Sequence, residues 1–137
     1  MLTMEHILRR AYPVLPVLVI DDVERAVSLA QALCAGGINV IEVTLRTPQA
    51  LEALKVIRQE VPDLIVGAGT VIHAEQFAQV MDAGAQFAVS PGFTERLALA
   101  AQETELPYLP AVMTPSEVLS ALEHGYRSLK LFPANGG

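Results

Sequence analysis

Strand-like apolar runs at residues 14–20, 38–46, 64–70, 86–92, 107–113 and 127–133 recur roughly every twenty to twenty-five residues, with helical patterns between them. That alternation limits the fold more than any other feature. In the first helical stretch Val23, Ala26, Val27, Ala30, Leu33 and Cys34 follow the helical spacing. Asp21 or Asp22 can cap its start, and Gly36-Gly37 can end it. Thr47-Pro48 is expected to open the second, with Pro at the first helical position and Ala50, Ala53, Leu54, Ile57 and Val61 facing inward. Ala74, Phe77, Ala78 and Met81 mark the third, ended by Gly84, and an alanine-rich fourth covers residues 95–102. Thr114-Pro-Ser-Glu117 is a capping box ahead of a fifth, which ends at Gly125. Strands that alternate strictly with helices imply a parallel sheet with right-handed crossovers. Two α/β architectures satisfy this, an open doubly wound sheet and a (β/α)₈ barrel.

Charge placed inside strands separates the two. Side chains alternate across a strand, so Ser128, Lys130 and Phe132 share one face while Leu129 and Leu131 share the other. A cation there is costly unless it is solvated, paired or able to lose its proton. The run at 38–46 likewise aims Glu42, Thr44 and Arg46 at one face. Polar groups late in several strands mark a barrel active site. Glu42 and Arg46 alone read equally well as a structural ion pair. Four polar groups converging from three strands, with Thr70 and Lys130, favour a pocket. The dinucleotide-binding fingerprint fails, because Ile72 stands where Gly67-Ala-Gly69-Thr-Val-Ile72 would need its third glycine. Gly67 and Gly69 are read instead as thin walls through which a substrate approaches the backbone.

A net charge of −6 argues against nucleic acid as a partner. The single Cys34 excludes an internal disulfide and fits a reducing compartment. No apolar stretch reaches the ~18 residues of a membrane span, and charges fill the start where a signal peptide is apolar. A soluble cytoplasmic protein is expected, with no membrane partner. His6, His73 and His124 show no metal-ligand spacing, and no metal is expected.

The segments Val40-Ile-Glu-Val-Thr-Leu-Arg46, Val66-Gly-Ala-Gly-Thr70, Ala88-Val-Ser-Pro-Gly92 and Lys130-Leu-Phe-Pro-Ala134 resemble, in order and spacing, the 2-keto-3-deoxy-6-phosphogluconate (KDPG) and 4-hydroxy-2-oxoglutarate (KHG) aldolase family. The resemblance implies a class I aldolase on a (β/α)₈ barrel, a homotrimer in the cytoplasm that acts on a small 2-keto acid without a metal or other cofactor. By position Lys130 matches the Schiff-base lysine and Glu42 the general acid/base. Arg46 and Thr70 match residues that hold the pyruvate carboxylate, and Phe132 and Pro91 match pocket walls. The chemistry suits these residue types. A retro-aldol cleavage needs an electron sink beside the breaking bond, and an imine formed on an amine side chain supplies one. A free lysine, with a pKa of about 10.4, is almost wholly protonated at neutral pH. Burial and Arg46 would lower that value and an ionised Glu42 would raise it.

The chain departs from the family in three ways. Residues 1–137 hold about six of eight strand–helix units, preceded by a helix within 1–12, and the sixth unit lacks its helix. The loops after strands seven and eight, which usually grip substrate phosphate in such barrels, are outside it. The step from Phe132 to Gly136-Gly137 is about two residues shorter than the family's, and Ala111 replaces a common glycine after Pro110. Two open sheet edges predict that these residues alone would not form a stable monomeric barrel, because each large apolar side chain left in water costs roughly 1.5–3 kcal/mol.

Overall fold

The computed structural model describes residues 2–135. Its elements run α1 (Met4–Ala11), β1 (Val17–Leu18), α2 (Val23–Ala35), β2 (Val40–Thr44), α3 (Ala50–Glu60), β3 (Ile65–Gly69), α4 (Ala74–Asp82), β4 (Ala88–Val89), α5 (Glu95–Thr104), β5 (Tyr108–Leu109), β6 (Ala111–Val112), α6 (Pro115–Glu123) and β7 (Lys130–Leu131). Local chemistry accounts for the helix ends. The Asp22 side chain accepts from the Glu24 amide at the start of α2, and Thr94 does the same for Leu97 in α5. Thr114 and Glu117 close the capping box of α6 around Pro115. Past α2, α4 and α6 the chain turns at Gly37, Gly84 and Gly125, each at positive φ, where a side chain would be strained.

Two local expectations fail. The amide-bearing Gln49, not Thr47, is the N-cap of α3, and Pro48 sits in the turn before it. Gln49 is held there because its side chain accepts from the Val23 amide across the fold. In α4 the buried pair is Phe77 and Val80, while Ala78 and Met81 face solvent, so the true stripe is rotated by about one position.

All strand pairs are parallel, in the order β1-β2-β3-β4-β5, with β6 paired to β7. Only Pro110 separates β5 from β6, and its carbonyl accepts from the Lys130 amide at 3.0 Å. The wall is therefore continuous from β1 to β7. Each crossover adds the next strand on the same side, the barrel progression; a doubly wound sheet would reverse direction once. Among the described residues the wall does not close, since β1 and β7 each have one partner.

Two apolar layers lie on either side of this wall. Outside it, Ile41, Val43, Val66, Ala68, Ala88 and Tyr108 pack against the helices, with Ala53, Leu54, Ile57, Phe77 and Val80 among their partners. Inside it, Val40, Ile65, Phe87, Val89 and Leu109 meet Met4, Ile7 and Ala11 of α1. Thus α1 plugs the N-terminal end of the interior, and Glu42 stands on the same strand face, two residues beyond Val40. The open edges leave apolar side chains exposed. Val17 is the register partner of Glu42, and it and Val19 stay 52% and 54% exposed on the interior side of β1. Leu131, on the outer face of β7, is 64% exposed.

Candidate active site

Burial sorts the candidate residues. Glu42 and Thr44 are buried on β2, and Thr44 donates to the Leu18 carbonyl at 2.9 Å. A structural bond thus accounts for Thr44. Lys130 is half-buried on β7, in register with the fully buried Ala111. Its ammonium lies 4.6 Å from the centroid of the Phe132 ring, two residues along the same strand face. Phe132 is 38% exposed, so Lys130 and its other neighbours do not cover it fully.

Arg46 and Thr70 are not strand residues, contrary to the sequence reading. The hydrogen-bonded ladder of β2 stops at Thr44, and Arg46 is exposed in the turn that follows. β3 stops at Gly69, and Thr70 takes φ 57°, a left-handed conformation rare for a β-branched residue. Strict alternation therefore does not apply to either. They flank the C-terminal ends of two adjacent strands, where the Leu45 amide donates to the Gly69 carbonyl at 2.9 Å and ties the two turns together.

The Glu42 carboxyl links these parts. Burial pushes its pKa up, and Lys130 first and Arg46 second pull it back down. Both cations are thus within electrostatic reach of the same acid, from β7 and from the turn after β2. Neither lies at ion-pairing distance from it among the described residues. The simple Glu42–Arg46 structural pair is not formed, and the three groups converge across a gap.

Gly67 and Gly69 have a different use from the one expected. A Cβ at Gly67 would fall into the Phe87 ring, and one at Gly69 would strike the Glu42 carboxylate. Both walls are thin to admit the protein's own side chains, not a substrate. The turn carrying Pro91, which is half-buried, is pinned from behind. Ser90 donates to the Gly92 carbonyl at 2.6 Å. Its single hydrogen is then used, so the Tyr108 hydroxyl 2.5 Å away must donate to it. Burial pushes the Tyr108 phenol up to about 12, which keeps that donor protonated. Tyr108 is itself held edge-on by Phe77 and Tyr126. Sequence reasoning missed Tyr108, because an aromatic in an apolar run looks like any core residue.

The larger cavities lie elsewhere. One of about 360 Å³ opens between α1 and the C-terminal ends of α5 and α6, and one of about 400 Å³ lies beside Leu8 and Tyr12. Glu42, Arg46, Thr70 and Lys130 line neither. Both are at the N-terminal end of the strands, where barrels keep stability rather than chemistry. No group of acids, histidines and cysteine with metal-binding geometry occurs among the described residues. No described helix is long and apolar enough to cross a membrane. Gly136-Gly137, and with them the shortened step after Phe132, lie outside the described residues.

Comparison with known proteins identifies similar chains. The chain is 54% identical over 129 residues to a 2-dehydro-3-deoxy-phosphogluconate aldolase of Dickeya dadantii, covering 93% of this chain and 61% of that protein. It is 51% identical over 127 residues to the KHG/KDPG aldolase of Escherichia coli, covering 91% and 60% respectively. The chain therefore spans about three-fifths of the length of these curated relatives. A crystal structure of KDPG aldolase from Legionella pneumophila, with pyruvate captured at low pH as a covalent carbinolamine intermediate, superposes with a TM-score of 0.88 at 51% identity, over 91% of this chain and 61% of that one. The family profile for KDPG and KHG aldolase matches residues 4–137. With the profile running from α1 through β7, across every strand that contributes to the Glu42–Arg46–Lys130 cluster, the chain belongs to the KDPG and KHG aldolase family.

Proposed function

We propose that these residues form the pyruvate-handling part of a class I aldolase that cleaves KDPG to pyruvate and glyceraldehyde 3-phosphate. One observation carries the reading: a buried carboxyl stands within electrostatic reach of both an amine and a guanidinium without being consumed by either. The covalent carbinolamine in the Legionella relative supports it, since that adduct needs a nucleophilic amine.

The Lys130 amine, in its neutral form, attacks the C2 carbonyl of the 2-keto acid and forms a carbinolamine. Glu42 donates its proton to the carbinolamine oxygen, water leaves, and a protonated imine remains. Glu42, now a carboxylate, accepts the proton of the C4 hydroxyl as the C3–C4 bond breaks. The electron pair of that bond passes into the imine, which becomes an enamine. Returning the proton to C3 and hydrolysing the imine release pyruvate and restore the amine. Arg46 grips the substrate carboxylate in two parallel hydrogen bonds, Thr70 adds a hydroxyl, and Pro91 and Phe132 wall the pocket. No step needs a metal. The homotrimer and the cytoplasmic setting are part of the same reading and rest on the family resemblance. The KHG/KDPG name of the Escherichia coli relative favours a second substrate, 4-hydroxy-2-oxoglutarate, which would use the same steps.

Incubation with pyruvate, borohydride reduction and peptide mapping test the reading. The expected result is one adduct on Lys130 that vanishes in Lys130→Met. No adduct on a folded protein would instead identify a catalytically silent barrel fragment.

A further inference from the structure

The Glu42 carboxyl rests on bare backbone. β2 and β3 run in register, with Glu42 opposite Gly67 and Thr44 opposite Gly69. The Glu42 side chain therefore leans toward the strand ends and over Gly69. The position a Cβ would occupy on Gly69 is 2.5 Å from Glu42 Cδ and 2.8 Å from its Cγ, with Oε2 nearer still. Real Cβ atoms essentially never approach within 3.0 Å, so the two cannot coexist without a shift. Gly69 does not take a positive φ, so backbone freedom is not what requires glycine here. β3 cannot yield easily, because it is paired on both sides, by β2 and by β4. The carboxyl would have to move.

We propose that Gly69 is a positioning residue: by lacking a side chain it keeps open the niche that holds the Glu42 carboxyl against β3, within reach of Lys130 and Arg46. Any residue with a Cβ would push the acid toward the open strand ends. There it would regain water and lose its fixed distance from the amine. The part of this inference that concerns proton transfer rests on the acid/base role given to Glu42 above. The packing part does not.

A double-mutant cycle separates them. Gly69→Ala should lower the thermal midpoint, whereas the same substitution added to Glu42→Ala should cost nothing, because the atoms it would strike are gone. A ¹³C titration of the Glu42 carboxyl should move down in Gly69→Ala, toward the ordinary carboxylate range. With pyruvate, Gly69→Ala should still form the borohydride-trapped adduct on Lys130 but exchange the pyruvate methyl hydrogens for deuterium at least tenfold more slowly. Equal destabilisation in both backgrounds would overturn the proposal. So would an unchanged Glu42 titration, or undiminished exchange, in a folded Gly69→Ala protein. If Gly69→Ala does not fold, folding of the Gly69→Ala/Glu42→Ala pair supports the niche and its failure refutes it. If the unsubstituted chain traps no pyruvate, the aldolase reading falls, and the cycle and titration still decide the niche.

Discussion

The β2–β3 side and the β7 side of the molecule hold opposite halves of the proposed chemistry under opposite conditions. β2 and β3 have neighbours on both edges, and all ten of their residues are buried. Among the described residues β7 has one neighbour, and its Leu131 and the following Phe132 are exposed. The acid sits in the finished region and the amine in the open one. Desolvation can therefore raise the Glu42 carboxyl, since the walls that exclude water from it are already in place. Lys130 has the Phe132 ring beside its ammonium and stays half-buried. A site at the mouth of a barrel is thus no better formed than the least-paired strand that contributes to it.

The largest effect expected from probing this contrast is chemical. Glu42→Gln should keep the side chain's fit over Gly69, slow formation of the Lys130 adduct, and slow methyl deuterium exchange by about 10²–10⁴-fold. Unchanged exchange would show that the buried region contributes no acid. The same variant also tests the burial through stability. The native carboxyl has a raised pKa, so below the ordinary value of 4.5 it is neutral in folded and unfolded chains and imposes no penalty. As pH rises past 4.5 the unfolded chain ionises first, and stability is lost until the native carboxyl ionises too. The stability of Glu42→Gln relative to the unsubstituted chain should therefore increase from pH 4 upward and then level off, in urea unfolding followed at several pH values. A difference that stays flat with pH would mean that Glu42 is not dehydrated.

The next effect compares two phenylalanines. Phe87 is fully buried, its ring pressed on Gly67, so Phe87→Ala should cost about 3–5 kcal/mol. Phe132→Ala, at the open edge, should cost below about 1 kcal/mol. Comparable losses would mean that the β7 edge is covered in solution, which the urea midpoints of the two variants at several protein concentrations would reveal. The smallest effect concerns the Pro91 turn. Tyr108→Phe removes the donor to Ser90 and should cost about 1 kcal/mol, measured as a shift in thermal midpoint. A shift near zero would mean that Ser90 is equally satisfied without it.

Most of the element order was legible, because two periods, 2 and 3.6, are written directly into the apolar residues. The α3 stripe of Ala50, Ala53, Leu54, Ile57 and Val61 and the α6 capping box follow from local chemistry alone. The misplaced features are those that tertiary contacts decide. Gln49 stands at the start of α3 with its side chain bonded to the Val23 amide at the start of α2, which no local rule anticipates. Arg46 and Thr70 were assigned to strands because their neighbours are apolar, but the ladder ends where β2 and β3 lose pairing at their C-terminal ends. Gly69 was legible as a close approach, though not what approaches it.

By itself the sequence determined the parallel, right-handed strand–helix order and the identity of an amine, an acid and a guanidinium at strand ends. Its family motifs supplied the pairing of those groups with a reaction. Only the tertiary structure decided the consecutive strand order, the niche on Gly69, and the gap that keeps Glu42 from neutralising either cation. The physical reason is range. Periodicity and capping act over a few residues and can be read along the chain, whereas the dielectric around a carboxyl is set by every strand and helix that excludes water from it.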